Sequence, residues 1–165
     1  MSDIKRSFPP VADARTRLLI LGSLPGEMSL AHARYYAHPR NQFWRLMETV
    51  TGTELADLPY AARLERLIEA RVGLWDTIGS ATRRGSLDGA IRDPRANDLA
   101  ALADRLPELR AVGFNGGKAA GLGTIGLARR PDLALVTLPS SSPAYTRPFD
   151  EKRAQWMKLA AYLSP

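Results

Sequence analysis

The chain has 165 residues, 45% of them hydrophobic and 24% charged, which suits one ordinary globular domain with a buried core. It contains no cysteine, which excludes disulfides, thiolate metal ligands, cysteine nucleophiles and iron–sulfur clusters, and no run approaches the roughly 18 uninterrupted apolar residues of a membrane span. A net charge of +6 and a pI of about 10.1 suit a polyanionic partner, and the arginines are scattered in pairs such as Arg15 and Arg17 or Arg83 and Arg84, as on a folded basic surface rather than a tail.

The polar start, residues 1–10, carries no apolar signal core, so a cytoplasmic protein is expected. Arg17-Leu-Leu-Ile-Leu-Gly22 is a short apolar run ending in glycine, the pattern of a buried strand entering a loop. Residues 41–50 place Phe43, Trp44, Leu46, Met47 and Val50 on one helical stripe, and residues 60–70 repeat it with Leu64, Leu67 and Ile68. Val72-Gly-Leu-Trp-Asp76 reads as a second strand, and residues 77–94, rich in Gly, Ser, Arg and Asp, as an irregular connection.

Asn97 is placed to cap a helix running to about Arg105. Arg110-Ala-Val-Gly-Phe-Asn115 is a third strand followed by a glycine-rich helix, and Leu133-Ala-Leu-Val-Thr-Leu138 a fourth strand stopped by Pro139. Residues 149–163 close the chain as a helix with Trp156, Leu159 and Leu163 on one side. Strands alternating with helices predict a three-layer α/β/α sandwich with a four-stranded, mostly parallel central sheet, in one domain over residues 1–165.

Ligands of such sheets gather at the carboxyl ends of the strands. Four unusual segments fall there: Gly22-Ser-Leu-Pro-Gly26, Asp76, Asn115-Gly-Gly117 and Pro139-Ser-Ser-Ser-Pro143. The first suits backbone donors brought close to a ligand, or a tight strand-to-helix turn; it is not a P-loop, because the spacing and the lysine are missing. Tyr35-Tyr-Ala-His-Pro-Arg-Asn-Gln-Phe-Trp44 combines a stacking tyrosine, a phosphate-seeking Arg40 and an Asn41 that fits either a helix cap or a polar catalytic group. Ser140, Ser141 and Ser142 fit a plain turn or a phosphate clamp. His32 and His38, the only histidines, have no carboxylate at ligand spacing, so no metal is expected; no Gly-x-Ser-x-Gly elbow occurs either.

Together, Gly22-Ser-Leu-Pro-Gly26, Ala37-His-Pro-Arg-Asn-Gln-Phe-Trp44 and Leu138-Pro-Ser-Ser-Ser-Pro-Ala144 resemble the uracil-DNA glycosylase superfamily. The likeness runs from the first strand to the last loop. It leans toward the hypoxanthine-DNA glycosylase branch, which Leu74-Trp-Asp76, Gly85-Ser-Leu87 and Phe114-Asn-Gly116 also resemble.

The resemblance implies a monofunctional enzyme of base excision repair that flips a deaminated base, foremost hypoxanthine, out of DNA. It implies neither metal nor organic cofactor and no membrane, with a monomer as the default state. Many relatives carry Asn, Asp or Glu where this chain has Leu24, and His or Asn where it has Leu138. The resemblance therefore assigns catalysis to Asn41, and the base pocket to Gly22, Ser23, Leu24 and Pro25. Tyr36 would stack on the base and Asn115 would read its edge. DNA contacts fall to Arg40, Ser140, Ser141, Ser142, Tyr145 and Arg147. Two alternatives are a uracil or mismatch glycosylase and a nucleic-acid-binding relative without catalysis.

Overall fold

A computed structural model describes residues 3–165. The centre is β2 (Leu18–Gly22), whose five residues are all buried. Alternation sends Leu18 and Ile20 to one face of the sheet and Leu19 and Leu21 to the other, and each pair joins a separate core. Helices α2 (Phe43–Thr51) and α6 (Phe149–Trp156) cover the first face, and α4 (Leu99–Asp104) and α5 (Gly117–Gly126) the second. Both faces of β2 are therefore covered by helices, which is why it reads as an unbroken apolar run.

The four strands β3 (Val72–Asp76), β2, β6 (Ala111–Asn115) and β7 (Ala134–Leu138) lie in that order, and every pairing is parallel. The expected α/β sandwich with a four-stranded parallel sheet is thus present. After β2 the chain winds to β3 on one side, and later strands build on the other side of β2. The order reverses between β2 and β6, and crossover loops leave a crevice at such a point.

Several local expectations are corrected. Residues 77–94 are not irregular: β4 (Ile78–Thr82) and β5 (Arg92–Ala96) join β1 (Ile4–Arg6) in a small antiparallel sheet of order β1-β4-β5. Ile78, Ala81 and Ile91 pack there with Leu24 in a third small core. Asn97 does not cap α4; Asp98 does, its Oδ1 accepting the Ala101 N–H at 3.0 Å. Asn97 instead donates from Nδ2 to the Asp76 carbonyl at 2.8 Å. The last helix changes to a 3-10 helix over Met157–Leu163.

The remaining elements are α1 (Glu27–His32) and α3 (Tyr60–Glu69). Helix α5 tolerates its glycines because close packing demands one of them. A Cβ on Gly123 would come within 2.1 Å of the Phe114 ring on β6, so the helix approaches the sheet as no larger residue would allow.

Candidate active site

At the point where the strand order reverses, a cleft of about 440 Å³ opens. It is lined by Ser23, Leu24 and Pro25 after β2, Asp76 ending β3, Asn115 ending β6, and Ser140, Ser141 and Ser142 after β7. All four segments expected at the strand ends therefore meet in one place. Tyr36, Asn41 and Tyr145 also line it. Arg40 and Arg147 are exposed and stand outside the lining; Arg147 pairs with Glu151 at 3.6 Å.

Gly22 lies beneath the lining. A Cβ there would sit 2.7 Å from Asp76 Oδ1 and 3.0 Å from the Tyr36 hydroxyl, so only glycine leaves room for both groups. Register produces this meeting, because Gly22 pairs directly with Asp76 across β2 and β3.

Asn41 precedes α2 rather than capping it, since Gln42 is the cap residue. Its Oδ1 accepts the Phe43 N–H at 3.0 Å, so the side chain does bond the helix entrance as an Asx turn. That bond also fixes the carboxamide at the cleft wall. Tyr36 adopts a left-handed backbone with φ of 53°, a conformation that costs a non-glycine residue about 1–3 kcal/mol. Its ring stacks on Phe43 with centroids 3.9 Å apart, so one aromatic face is already covered. Its hydroxyl is buried with no partner at hydrogen-bond geometry; burial, with Asp76 near, raises the phenol above its ordinary range, and the Asn115 side chain eases it back.

Asn115 is differently placed. Its Nδ2 donates to Ser141 Oγ at 2.8 Å, and its Oδ1 accepts the Ser141 N–H at 2.9 Å. One N–H and one lone pair of the carboxamide expected to read a base edge are thus engaged within the protein, and the second of each stays open. Ser141 is buried as well, and its carbonyl accepts the Gln42 N–H at 3.0 Å. Ser140 and Ser142 accept the backbone N–H groups of Ser142 and Ala144, so the serine hydroxyls build the turn itself. Beneath this loop Lys152, 1% exposed, donates to the Ser142 carbonyl at 3.3 Å.

Sequence reasoning put Asp76 at a strand end but gave it no role. Asp76 is 3% exposed, lines the cleft, and its Oδ2 has no hydrogen-bond partner. Burial and the neighbouring Asp88 carboxylate push its carboxyl up to about 7 against the pull of Arg83. Asp88 itself accepts the Ser23 hydroxyl at 2.6 Å. Arg83 was also missed. It is buried and donates to the Leu24, Pro25 and Gly85 carbonyls, stapling two loops that wall the cleft. An Arg-Arg pair reads as solvated surface, and only remote carbonyls converging on Arg83 make it otherwise.

A parallel sheet whose order reverses beneath a loop-walled cleft of amide, hydroxyl and carboxyl groups defines a class of open α/β proteins with a site at the strand ends. The Uracil DNA glycosylase superfamily matches residues 9–163, and the chain belongs to that superfamily. A protein of Methanosarcina acetivorans named "Hypoxanthine DNA glycosylase" is 40% identical over 153 residues, 93% of this chain and 96% of that one. One of the same name from Methanosarcina barkeri (strain Fusaro) is 40% identical over 152 residues, 92% of this chain and 95% of its own. The solution NMR structure of a Methanosarcina acetivorans protein described as a candidate uracil DNA glycosylase superposes with a TM-score of 0.86 at 39% identity, covering 98% of this chain and 99% of that chain. Among the described residues, no helix is long and apolar enough to cross a membrane.

Proposed function

We propose that the protein is a monofunctional DNA glycosylase that flips a deaminated base, hypoxanthine first, out of DNA and hydrolyses its glycosidic bond. The observation that carries this reading is the cleft at the strand-order reversal, with Asn41 held rigidly in its wall. Flipping is required because the glycosidic carbon is shielded inside the stacked duplex. Neither lysine nor cysteine lines the cleft, so water rather than an amine or thiol attacks.

Asn41 supplies the polar group that Leu24 and Leu138 cannot. With one lone pair of Oδ1 taken by the Phe43 N–H, the other lone pair and the amide N–H groups face the reacting centre in a fixed orientation. Gly22, Ser23, Leu24 and Pro25 shape the floor and wall of the base pocket. Asn115 acts through Ser141, holding the serine loop in place. The backbone of that loop, Tyr145, Arg40 and Arg147 then meet the flanking DNA. The protein acts as a monomer, since the reaction needs only one cleft and the DNA.

The test is single-turnover base release from duplexes containing deoxyinosine, deoxyuridine or no lesion, with abasic sites revealed by alkali. Asn41→Ala is expected to slow release about 100-fold or more, the range of a lost positioned polar group. A rate within about threefold of the parent, under about 1 kcal/mol of barrier, would leave Asn41 a turn-forming residue only.

A further inference from the structure

We infer that Asp76 is a catalytic residue that meets the flipped base as a neutral carboxylic acid, donating its proton to the carbonyl oxygen of the departing base. The inference rests on the glycosylase reading above. Its basis is the state of the carboxyl in the free protein: nine-tenths buried, on the cleft lining, with Oδ2 lacking any partner. An unpaired buried charge is costly enough that such a group gives up its charge. A neutral carboxyl then carries one donor and one acceptor side by side.

That pair is complementary to the edge deamination creates. Hypoxanthine presents a carbonyl oxygen beside a ring N–H, and uracil and xanthine carry the same lactam arrangement. The Asp76 hydroxyl bonds the carbonyl oxygen, and its other oxygen accepts the ring N–H. As the bond from the sugar carbon to the base nitrogen breaks, its electron pair leaves with the base and spreads onto that carbonyl oxygen. The hydrogen bond strengthens as charge arrives, and the proton passes to the base, which departs neutral and settles into its stable tautomer. Water forms the new bond to the sugar carbon and releases a proton to solvent, from which the Asp76 carboxylate regains its own. A donor aimed at developing charge in a water-excluded site is worth most in the transition state.

The surroundings agree. Asp88 adds negative charge, and Arg83 alone opposes it while committed to three backbone carbonyls. Tyr35 is buried nearby and stays protonated, its hydroxyl held by the Pro9 carbonyl at 3.0 Å. The Tyr36 hydroxyl, also unpartnered, shares the space above Gly22 and becomes a second donor to the same base edge. The carboxyl changes state at about 7, so the acid is available through the lower part of the physiological range.

The experiment is single-turnover excision from a deoxyinosine duplex between about pH 5 and 8 with three proteins: parent, Asp76→Asn and Asp76→Leu. For the parent, the rate should hold on the acid side and fall above about pH 7. Asp76→Asn keeps a donor and an acceptor and removes the titration. Because an amide cannot give up a proton, this variant should lose about tenfold or more at low pH, and lose the fall with it. Asp76→Leu should lose about 100-fold or more on the acid side, the deficit narrowing above about pH 7 as the parent falls, while unfolding at a temperature no lower than the parent. A fall that persists in Asp76→Asn assigns it to another group, and overturns the inference while the glycosylase reading stands. So does an Asp76→Leu protein near the parent rate. A parent inactive on inosine and uracil alike would overturn the glycosylase reading and the inference with it.

Discussion

Asn115 and Asp76 end the two strands that flank β2, both are buried, and both border the same cleft, yet their hydrogen bonding is opposite. Asn115 uses its donor and its acceptor on one residue, Ser141. Asp76 leaves Oδ2 without a partner beside a second carboxylate. Fully satisfied polar groups in a low-dielectric interior rigidify what they touch, whereas an unsatisfied one is a liability unless something else completes it. The Asn115 side of the cleft is thus the better hydrogen-bonded of the two, and the Asp76 side carries the unpartnered oxygen.

The sharpest way to break this contrast is stability against pH. A carboxyl lifted from 3.8 in the unfolded chain to about 7 in the folded one destabilises the fold above both values by on the order of 4 kcal/mol. Between the two values the native protein holds a proton that the unfolded chain has released, so stability falls as pH rises and levels off above about 7. Asp76→Asn should therefore be more stable than the parent, with the advantage growing by about 2–3 kcal/mol from pH 5 to 8 in denaturant titrations. A constant difference across that range would mean that Asp76 is ionised and paired throughout.

On the opposite side, Asn115→Leu removes both hydrogen bonds that Asn115 makes to Ser141 and strands its buried N–H. A loss of about 1–3 kcal/mol is expected, with little dependence on pH. The same substitution should loosen the turn that Gln42 grips through the Ser141 carbonyl, and weaken DNA binding more than it slows base release. An unchanged midpoint of unfolding would show that the loop is held elsewhere.

How much of this was legible in the sequence follows from which interactions are local. The four parallel strands stand out because a strand covered on both faces must be apolar throughout, as in Leu18-Leu-Ile-Leu-Gly22. The meeting of four loops followed from the strands being parallel, which puts their carboxyl ends along one edge of the sheet. The small antiparallel sheet did not: β5, Arg-Asp-Pro-Arg-Ala, is exposed at every residue and held by backbone pairing that leaves no apolar pattern, and β4 carries register shifts against it. Asn97 and Asp98 are equally good caps by type; the Asp76 carbonyl, twenty-one residues away, draws Asn97 off. For the same reason Asp76 could be placed at a strand end but not recognised as unpaired. A missing partner is a property of everything nearby in space, and only Gly22 hints at it from the sequence.

The smallest expected effect lies under the serine loop. Lys152 gives the Ser142 carbonyl a bond of only 3.3 Å, and burial pulls its amine below the usual lysine range. The gain from that bond and the cost of burying the charge oppose each other, and a long apolar side chain forfeits both at once. Lys152→Met should therefore shift stability by less than about 1 kcal/mol in either direction, against the larger loss in Asn115→Leu. Base release should also stay within about threefold of the parent, because Trp156 Nε1 holding the Pro139 carbonyl at 2.9 Å and Asn115 holding Ser141 already fix both ends of the turn. A large loss in Lys152→Met, measured beside Asn115→Leu in one denaturant series, would move the anchor of the loop from the neutral amide to the buried cation.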